Sequence, residues 1–330
     1  MNKTELEKSD KSEKYKKVND KYKYINMLGS GSFGEVYLTK NRNTGDMYAA
    51  KLENKGKKSR LKEEYKIYTK LHKKGLVVGI PKIIDYIETP KKNIMVMQLL
   101  GKDLDELQKE NGGKFDLITV LKLGIVMTDL LKNLHQTGFI HRDIKPNNFL
   151  SGNGKDNDKL FIMDFGLSKQ YIIKSKHIPY KVEKELVGTA RYASINVHDG
   201  IEPSRRDDLE SVGYMLVYFI KGVLPWQGLK EKKNEDKLKL IGDTKRWTSL
   251  QKLCKDLPSC FSEYIKYCRK LSFTDNPDYD FLQNLFLKEF ENISNDNSNG
   301  CSNSNSNGNS NDNSNSKSNN KKLEYCWVCT

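Results

Sequence analysis

The pattern of apolar and polar positions changes at about residue 100 of the chain. Before that point, short apolar segments separated by turn residues are typical of β-strands, whereas after it apolar residues recur at helical spacing. The predicted strands are Tyr24–Leu28, Glu35–Asn41, Asp46–Leu52 and Ile94–Leu99, and the predicted helices are Arg60–Lys74 and Leu117–Gln136. Strands followed by helices indicate an α+β fold with a strand-rich small lobe and a helical large lobe.

Both ends of the chain lack a pattern of buried positions. Residues 1–21 are rich in lysine and glutamate and are predicted to form a mobile charged arm. Asparagine and serine dominate from Ile293 onwards, so residues 293–330 are predicted to be a disordered tail. The ordered domain is therefore placed at residues 22–292, with the small lobe ending at about residue 100.

The net charge of +14 restricts the partners that the protein can have. Charges in the tail cancel, so the folded part carries the surplus, which favours acidic or phosphorylated proteins, ATP, nucleic acid or an acidic membrane face. No apolar run approaches the roughly 20 residues of a membrane span. The first 253 residues contain no cysteine, which argues against a disulfide framework. A cytoplasmic protein is expected, and nuclear and membrane-associated pools stay open.

A glycine-rich segment, Gly29–Val36, is the first candidate for chemistry. Glycines allow backbone amides to approach phosphate groups closely, although a glycine-rich hairpin without a ligand would look similar. A dinucleotide-binding loop would continue as a helix, whereas here a strand follows. The candidate ATP-binding residues of this region are Leu28, Gly29, Ser30, Gly31, Gly34 and Val36.

Lys51 follows two alanines on a predicted inner strand. A lysine in this place can reach the α and β phosphates of ATP when a carboxylate holds it, and Glu64 on the next helix is placed to do so. Ala49, Lys51 and Glu64 are therefore candidate nucleotide-site residues, and Lys51 is also a catalytic candidate. Taken alone, a lysine such as Lys51 is more often a solvated strand residue.

The segment His141–Asn148 matches the catalytic-loop pattern of protein kinases. Asp143 would accept or orient the proton of the substrate hydroxyl, Lys145 would contact the transferred phosphate, and Asn148 would bind a magnesium ion. Asp164, in Asp-Phe-Gly, would be the second magnesium ligand. With the glycine-rich segment and Lys51 upstream in the expected order, these motifs predict a kinase that uses ATP and Mg²⁺.

Several segments resemble the casein kinase I family of serine/threonine protein kinases, over residues 22–291. The most specific is Gly188–Asn196, which ends in Ser-Ile-Asn where most kinases have Ala-Pro-Glu. Ser204–Ser211, Leu224–Gly228 and His177–Tyr180 are also similar to family segments. The resemblance implies a two-lobed protein kinase fold with a small antiparallel-sheet N-lobe and a larger helical C-lobe. It implies constitutive activity, with Asp208 bracing the catalytic loop.

The resemblance also assigns the adenine and substrate sites. Met97 aligns with the gatekeeper position, and Leu100 with the backbone contacts to adenine; Gln98 stands where the family usually has glutamate. Family members prefer substrates that are acidic or already phosphorylated, and they read them with basic residues. The aligned residues are Arg191, Gly228 and Lys237 for the principal anion site, and Arg142, Lys169 and Lys184 for a second cluster.

Other hypotheses remain open on the sequence. Palmitoylation of Cys326 or Cys329 would tether the chain to a membrane, and an untethered tail is the alternative. A pseudokinase scaffold would retain the fold without turnover, and a small-molecule kinase is a further enzyme alternative. Sequence-specific nucleic-acid binding is not expected, because the chain lacks an aromatic-and-basic recognition motif. The protein is expected to be monomeric. Ser168, Ser175 and Thr189 are expected to be structural or surface hydroxyls.

Overall fold

The computed structural model describes residues 18–31, 34–56, 59–75, 78–231 and 233–299. The chain divides into two compact units after Gly101, and the short segment Met163–Gly166 belongs with the first unit. None of the helices in the described part of the chain is both long enough and apolar enough to cross a membrane.

The first unit is a five-stranded antiparallel sheet with one helix, and its strand order is β1-β2-β3-β5-β4. Its elements are β1 (Tyr22–Gly31), β2 (Gly34–Asn41), β3 (Met47–Asn54), α1 (Arg60–Lys73), β4 (Ile83–Glu88) and β5 (Lys92–Gln98). The predicted strands and helix are confirmed to within a few residues, and β4 was not predicted. Its apolar residues are interrupted by Asp85 and are at most half-buried, whereas β5 has an unbroken apolar run from Ile94 to Met97.

The turn between β2 and β3 forms around the side chain of Asn41. Its Oδ1 accepts hydrogen bonds from the backbone N–H groups of Asn43 and Thr44, at 2.9 and 3.3 Å. Gly45 completes the turn with a φ of +82°, which glycine adopts without strain. The hairpin places Lys51 of β3 directly between Val36 of β2 and Met95 of β5.

The sheet packs its core with residues from before its first strand. Val18 is buried in the same cluster as Tyr22, Ala50, Leu52 and Val96. The backbone N–H of Val18 donates to the carbonyl of Tyr22, so the chain turns back onto the sheet. The end of the predicted mobile arm at residue 21 is therefore corrected: residues 18–21 belong to the folded part.

The second unit is mainly helical. Its helices are α2 (Leu104–Glu110), α3 (Leu117–Gln136), α4 (Ile195–His198), α5 (Arg205–Lys221), α6 (Asn234–Trp247), α7 (Leu250–Leu253), α8 (Ser259–Lys270) and α9 (Tyr279–Asn299). Three small antiparallel pairs join β6 (Phe139–Ile140) to β9 (Lys169–Gln170), β7 (Phe149–Ser151) to β8 (Leu160–Ile162), and β10 (Ile172–Ile173) to β11 (Lys176–His177). The α+β class predicted from the sequence is confirmed.

Helix α3 is the central element of this unit and packs against α5 and α9. It begins at the predicted residue because Asp116 caps it, accepting a hydrogen bond from the N–H of Thr119 at 2.9 Å. Helix α9 continues to Asn299, seven residues beyond the predicted end of the domain at Asn292. The rest of the predicted tail, including Cys326 and Cys329, lies outside the described residues.

Candidate active site

In the first unit, Lys51 is held between two carboxylates. Its Nζ lies 2.8 Å from Oε2 of Glu64 and 2.9 Å from Oδ1 of Asp164. Burial alone lowers the pKa of Lys51, but the two carboxylates outweigh burial and raise that pKa above its usual value. The ammonium is therefore charged and fixed in direction, as a group that neutralises phosphate must be.

Helix α1 positions Glu64 by presenting one apolar face to the sheet. Leu61, Glu64, Tyr68 and Leu71 recur at helical spacing and are all buried. Burial raises the pKa of Glu64, and Lys51 opposes this effect. A charged glutamate is thus retained on an apolar face because it has a charged partner.

Tyr68, which sequence reasoning missed, supports Asp164. Its hydroxyl accepts a hydrogen bond from the N–H of Asp164 at 3.3 Å, and its ring packs edge-on against Phe165 with centroids 4.9 Å apart. Asp164 has a φ of +65°, an unfavourable conformation for a residue with a side chain. The contacts from Tyr68 and Lys51 stabilise this conformation. A buried tyrosine on the apolar face of α1 was the available signal.

The glycine-rich segment is a hairpin, as the strand pattern indicated. Gly29, Ser30 and Gly31 end β1 and pair with Val36, Glu35 and Gly34 at the start of β2, while Ser32 and Phe33 lie outside the described residues. Gly34 has a φ of +124°, and a Cβ there would lie 1.9 Å from the carbonyl oxygen of Leu52. A Cβ on Gly29 would instead meet none of the described atoms within 4 Å. Gly34 therefore shapes the hairpin, and Gly29 leaves room for a ligand.

The remaining nucleotide-site candidates lie on β1, β3 and β5. Ala49 and Met97 are buried neighbours across the β3–β5 ladder, Leu28 is exposed, and Leu100 is half-buried just after β5. Gln98 uses its side-chain oxygen to accept from the N–H of Lys82 at 3.2 Å. Glutamine can thus occupy the position where the resemblance leads one to expect glutamate without leaving its side chain unpaired.

In the second unit, Asp143, Lys145 and Asn148 meet as the motif predicted. Lys145 Nζ lies 2.7 Å from Asp143 Oδ2, and Asn148 Nδ2 donates to the carbonyl oxygen of Asp143 at 2.7 Å. The other carboxylate oxygen of Asp143 accepts from the hydroxyl of Thr189 at 2.8 Å. Thr189 is thus a structural hydroxyl that fixes the orientation of Asp143.

Asp208 on α5 stabilises the catalytic loop, residues 141–148, by accepting backbone hydrogen bonds from it. Its two carboxylate oxygens accept the backbone N–H groups of His141 and Arg142, at 2.7 and 2.8 Å. Arg142 has a φ of +69°, so the loop contains a strained residue that these bonds hold in place. Burial alone raises the pKa of Asp208, but the bonds from His135 and the loop lower that pKa below its usual value.

His135, which sequence reasoning also missed, orients Asp208. Its Nε2 lies 3.0 Å from Asp208 Oδ2, and its Nδ1 lies 2.7 Å from the hydroxyl of Tyr279. Burial lowers the pKa of His135, which favours the neutral ring. A neutral ring that donates from Nε2 and accepts at Nδ1 satisfies both contacts.

The oxygen atoms of Asn148 and Asp164 suit a hard cation such as Mg²⁺. Asn148 uses its Nδ2 toward Asp143, which leaves the amide oxygen as the ligand atom, and Asp164 offers a carboxylate. The described residues contain no cluster of three or more acidic, histidine or cysteine side chains that could hold a metal. Mg²⁺ commonly takes only one or two protein ligands and completes its shell with substrate phosphates and water, so each of the two residues fits it.

The residues of the principal anion site lie on the surface of the second unit. The Arg191 guanidinium is exposed and lies over the rings of Tyr192 and Tyr218, at 5.8 and 5.6 Å from their centroids. Gly228 and Lys237 are also exposed, and Lys237 is in the first turn of α6. Within the described ranges, neither Arg191 nor Lys237 has an ion-pair partner. Both charges are thus available to an anion.

The second cluster differs from the expectation. Arg142, Lys169 and Lys184 do line one depression, of about 410 Å³. Three glutamates share it: Glu183, Glu185 and Glu202. Lys169 is paired with Glu202 at 2.7 Å, and Arg142 donates through Nε to the carbonyl of Leu167. The charges in this depression balance, which its basic residues alone did not indicate.

A lysine held by two carboxylates after a glycine-rich hairpin, and an aspartate held by lysine, asparagine and threonine, define an ATP-dependent phosphotransferase. A family model for the protein kinase domain matches residues 22–276, and the chain belongs to that family. The match begins at Tyr22, where β1 begins. Membership implies that ATP is the phosphoryl donor, usually with Mg²⁺, and that proteins are the substrates.

Proposed function

We propose that this protein is a serine/threonine kinase of the casein kinase I type. It would transfer the γ-phosphoryl group of ATP to serine or threonine residues of acidic or already phosphorylated proteins. The family-specific segment Gly188–Asn196 supports this assignment, because it joins the residue that orients Asp143 to the exposed Arg191.

The exposed Arg191 is the observation that carries the proposal. It lies two residues after Thr189, whose hydroxyl binds Asp143. An extended peptide covers roughly 10 Å in three residues, and in this proposal that span runs from the acceptor hydroxyl at Asp143 to the Arg191 guanidinium. A phosphate three residues before the acceptor hydroxyl would then meet a guanidinium that forms no ion pair within the described residues, together with Lys237.

The test compares two peptides, one with phosphoserine three residues before a target serine and one with plain serine there. Wild-type protein should prefer the primed peptide. Arg191→Ala and Lys237→Ala should each lower kcat/KM for the primed peptide about tenfold, because a charge-assisted phosphate contact contributes roughly 1.5–3 kcal/mol. Neither change should alter kcat/KM for the plain peptide by more than about twofold, which is the size expected for an ordinary surface substitution.

Two control variants complete this experiment. Lys184→Ala tests the charge-balanced depression and should leave the primed preference unchanged, while Asp164→Asn should abolish transfer to both peptides. Equal activity of wild-type protein on both peptides would remove the case for Arg191 as a phosphate reader. Absence of transfer by folded, ATP-bound wild-type protein would favour the pseudokinase scaffold.

A further inference from the structure

Lys245 is a fully buried lysine near the end of α6. Its Nζ donates to the carbonyl oxygens of Ala190 and Ala193, at 2.8 and 2.5 Å. It also lies over the rings of Tyr214 and Trp226, about 5 Å from each centroid. In the described part of the chain no carboxylate pairs with it. Lysine is almost never fully buried unless it is paired, and here the partners are two carbonyl oxygens and not a carboxylate. The role of Lys245 is therefore to be sought in the loop that carries these carbonyls.

These carbonyls belong to the loop that carries Arg191. The carbonyl of Arg191 itself accepts from Nε1 of Trp226 at 2.7 Å. Within the loop, the carbonyl of Thr189 accepts the N–H groups of Tyr192 and Ala193. The backbone on both sides of Arg191 is therefore held from α6 and from Trp226, while its side chain is left exposed.

The same loop reaches the catalytic aspartate at its other end. Thr189 binds Asp143, and Gly188 approaches the carbonyl of Arg142 so closely that a Cβ would lie 2.3 Å from that oxygen. A displacement of the loop would thus change both the orientation of Asp143 and the place of Arg191. Lys245 touches neither residue directly.

We propose that Lys245 is a positioning residue for the protein substrate, which fixes the loop 188–194 so that Thr189 orients Asp143 and Arg191 faces the substrate. The part that concerns Arg191 rests on the proposed function, whereas the part that concerns Asp143 rests only on membership of the protein kinase family. Sequence alone gave no signal, because Lys245 lies among charged residues in a helix with an exposed face.

The positioning role does not depend on the charge of Lys245. Burial lowers its pKa well below the usual value, with Glu210 opposing and Arg269 reinforcing that effect. Both the ammonium and the neutral amine carry N–H donors for two carbonyls. His198, whose Nε2 lies 3.2 Å from the Ala190 carbonyl, is a second partner for that oxygen only. The carbonyl oxygen of Ala193 receives its hydrogen bond from Lys245.

The test compares Lys245→Met, which keeps the length and removes the donors, with Lys239→Met, an exposed lysine on the same helix. The full-length proteins are assayed with a plain acidic peptide and with ATP varied in turn. Lys245→Met should raise the KM for the peptide about tenfold, because the loop moves when its buried carbonyls lose their donor at a cost of about 1–3 kcal/mol, with the KM for ATP unchanged. Lys239→Met should match the wild type in both.

Amide hydrogen exchange of segment 188–194 gives a second readout that needs no turnover. The N–H groups of Tyr192 and Ala193 should lose protection in Lys245→Met and keep it in Lys239→Met. If Lys245→Met does not fold, Trp226→Phe serves instead, because it keeps a ring beside Lys245 and removes the donor to the Arg191 carbonyl. It should change the peptide KM and the exchange in the same direction.

A double-mutant cycle separates this proposal from the proposed function. On primed peptide, Lys245→Met and Arg191→Ala together should cost clearly less than the sum of the two single effects, since they share the Arg191 guanidinium, while Lys245→Met also acts through Asp143. Additive losses, unchanged loop exchange, or equal changes in both KM values would overturn the positioning role. Absence of a primed preference in wild-type protein would instead contradict the proposed function, and the plain-peptide KM and the exchange would still decide the role of Lys245.

Discussion

Two titratable residues of the second unit, one buried and one half-buried, have pKa values that shift in opposite directions. Burial raises the pKa of Asp207 to about 6, although it accepts bonds from the Ser194 hydroxyl and the Ser204 N–H at 2.6 and 2.7 Å. Burial and, to a smaller extent, the charge of Lys245 lower the pKa of His198 to about 4. Each residue thus links folding to pH over the same range.

The signs of the two effects are opposite, so they should offset one another in the wild type. A carboxyl with a raised pKa stabilises the fold at low pH, and this contribution is lost as pH rises from about 4 to about 6. A histidine with a lowered pKa stabilises the fold above about pH 6.5, and this contribution is lost as pH falls towards 4. Between these limits the free energy of unfolding should depend little on this pair.

Substitution should expose each trend. In Asp207→Asn only the His198 effect remains, so the free energy of unfolding should increase as pH is raised from about 4 to about 6.5. In His198→Gln only the Asp207 effect remains. The free energy of unfolding should then fall by roughly 2–3 kcal/mol as pH is raised from about 4 to about 6, the value for a shift of about two pKa units. Urea unfolding at several pH values measures both slopes. Slopes equal to that of the wild type in both variants would contradict this account.

At the scale of single residues, the sequence predicted what is local and missed what depends on burial. Asp143, Lys145 and Asn148 lie within six residues, so their meeting follows from one motif. Lys245 and His135 bind residues 52 to 73 positions away, and nothing in their neighbourhood marks them as buried. Of the three glutamates around the second basic cluster, two directly flank Lys184 in the sequence and were overlooked there, whereas Glu202 comes from further along the chain and pairs with Lys169.

At the scale of elements, two close helix contacts in the second unit are made by glycines. A Cβ on Gly124 of α3 would lie 2.7 Å from the ring of Phe286 on α9, and one on Gly213 of α5 would lie 2.6 Å from Ile265 on α8. Phe286 is fully buried and packs against the rings of Phe261 and Tyr264. The glycines thus set how closely these helices approach.

Gly124→Ala should destabilise the protein even though alanine is the better helix former. The intrinsic gain is about 1 kcal/mol, whereas overpacking a core typically costs about 1–3 kcal/mol, and the buried ring of Phe286 cannot move without displacing its neighbours. We expect a net loss of about 1 kcal/mol in chemical unfolding. The second substitution Phe286→Leu should cost less in the Gly124→Ala background than in the wild type. A gain in stability from Gly124→Ala alone would show that the helices can separate freely.

The prediction of elements succeeded where the hydrophobic period was clear. Helix α3 was placed to the residue because its apolar period is regular and Asp116 caps it. Helix α9 was not predicted, and the domain was expected to end at Asn292 because asparagine and serine replace apolar residues after Ile293, although the helical backbone continues to Asn299. Val18 was missed because a single apolar residue in a charged arm has no period.

At the scale of the whole molecule, the folded part extends beyond the match to the kinase family. The match ends at Asn276, whereas α9 begins at Tyr279 and packs against α3 and α8. Leu282 and Phe286 of α9 are fully buried. Tyr279 also binds His135, which orients Asp208 under the catalytic loop. Helix α9 therefore contributes both to the core of the second unit and to its active site.

Shortening the chain tests this extension. A protein that ends at Asn276 loses the burial of Leu282 and Phe286, which contributes about 1.5–3 kcal/mol each, from a total that is typically only about 5–15 kcal/mol. It should melt at a much lower temperature than the full chain or fail to unfold cooperatively by circular dichroism. A protein that ends at Asn299 should melt like the full chain.

The variant Tyr279→Phe separates the two contributions of α9, because it keeps the ring and removes only the hydroxyl that binds His135. It should lose about 1 kcal/mol of stability, the value of one buried hydrogen bond. It should also lower kcat while leaving the KM for ATP nearly unchanged, since the catalytic loop is affected and the first unit is not. If the chain ending at Asn276 melted like the full protein, the kinase domain would be complete without α9, and the bond from Tyr279 to His135 would be dispensable for holding Asp208.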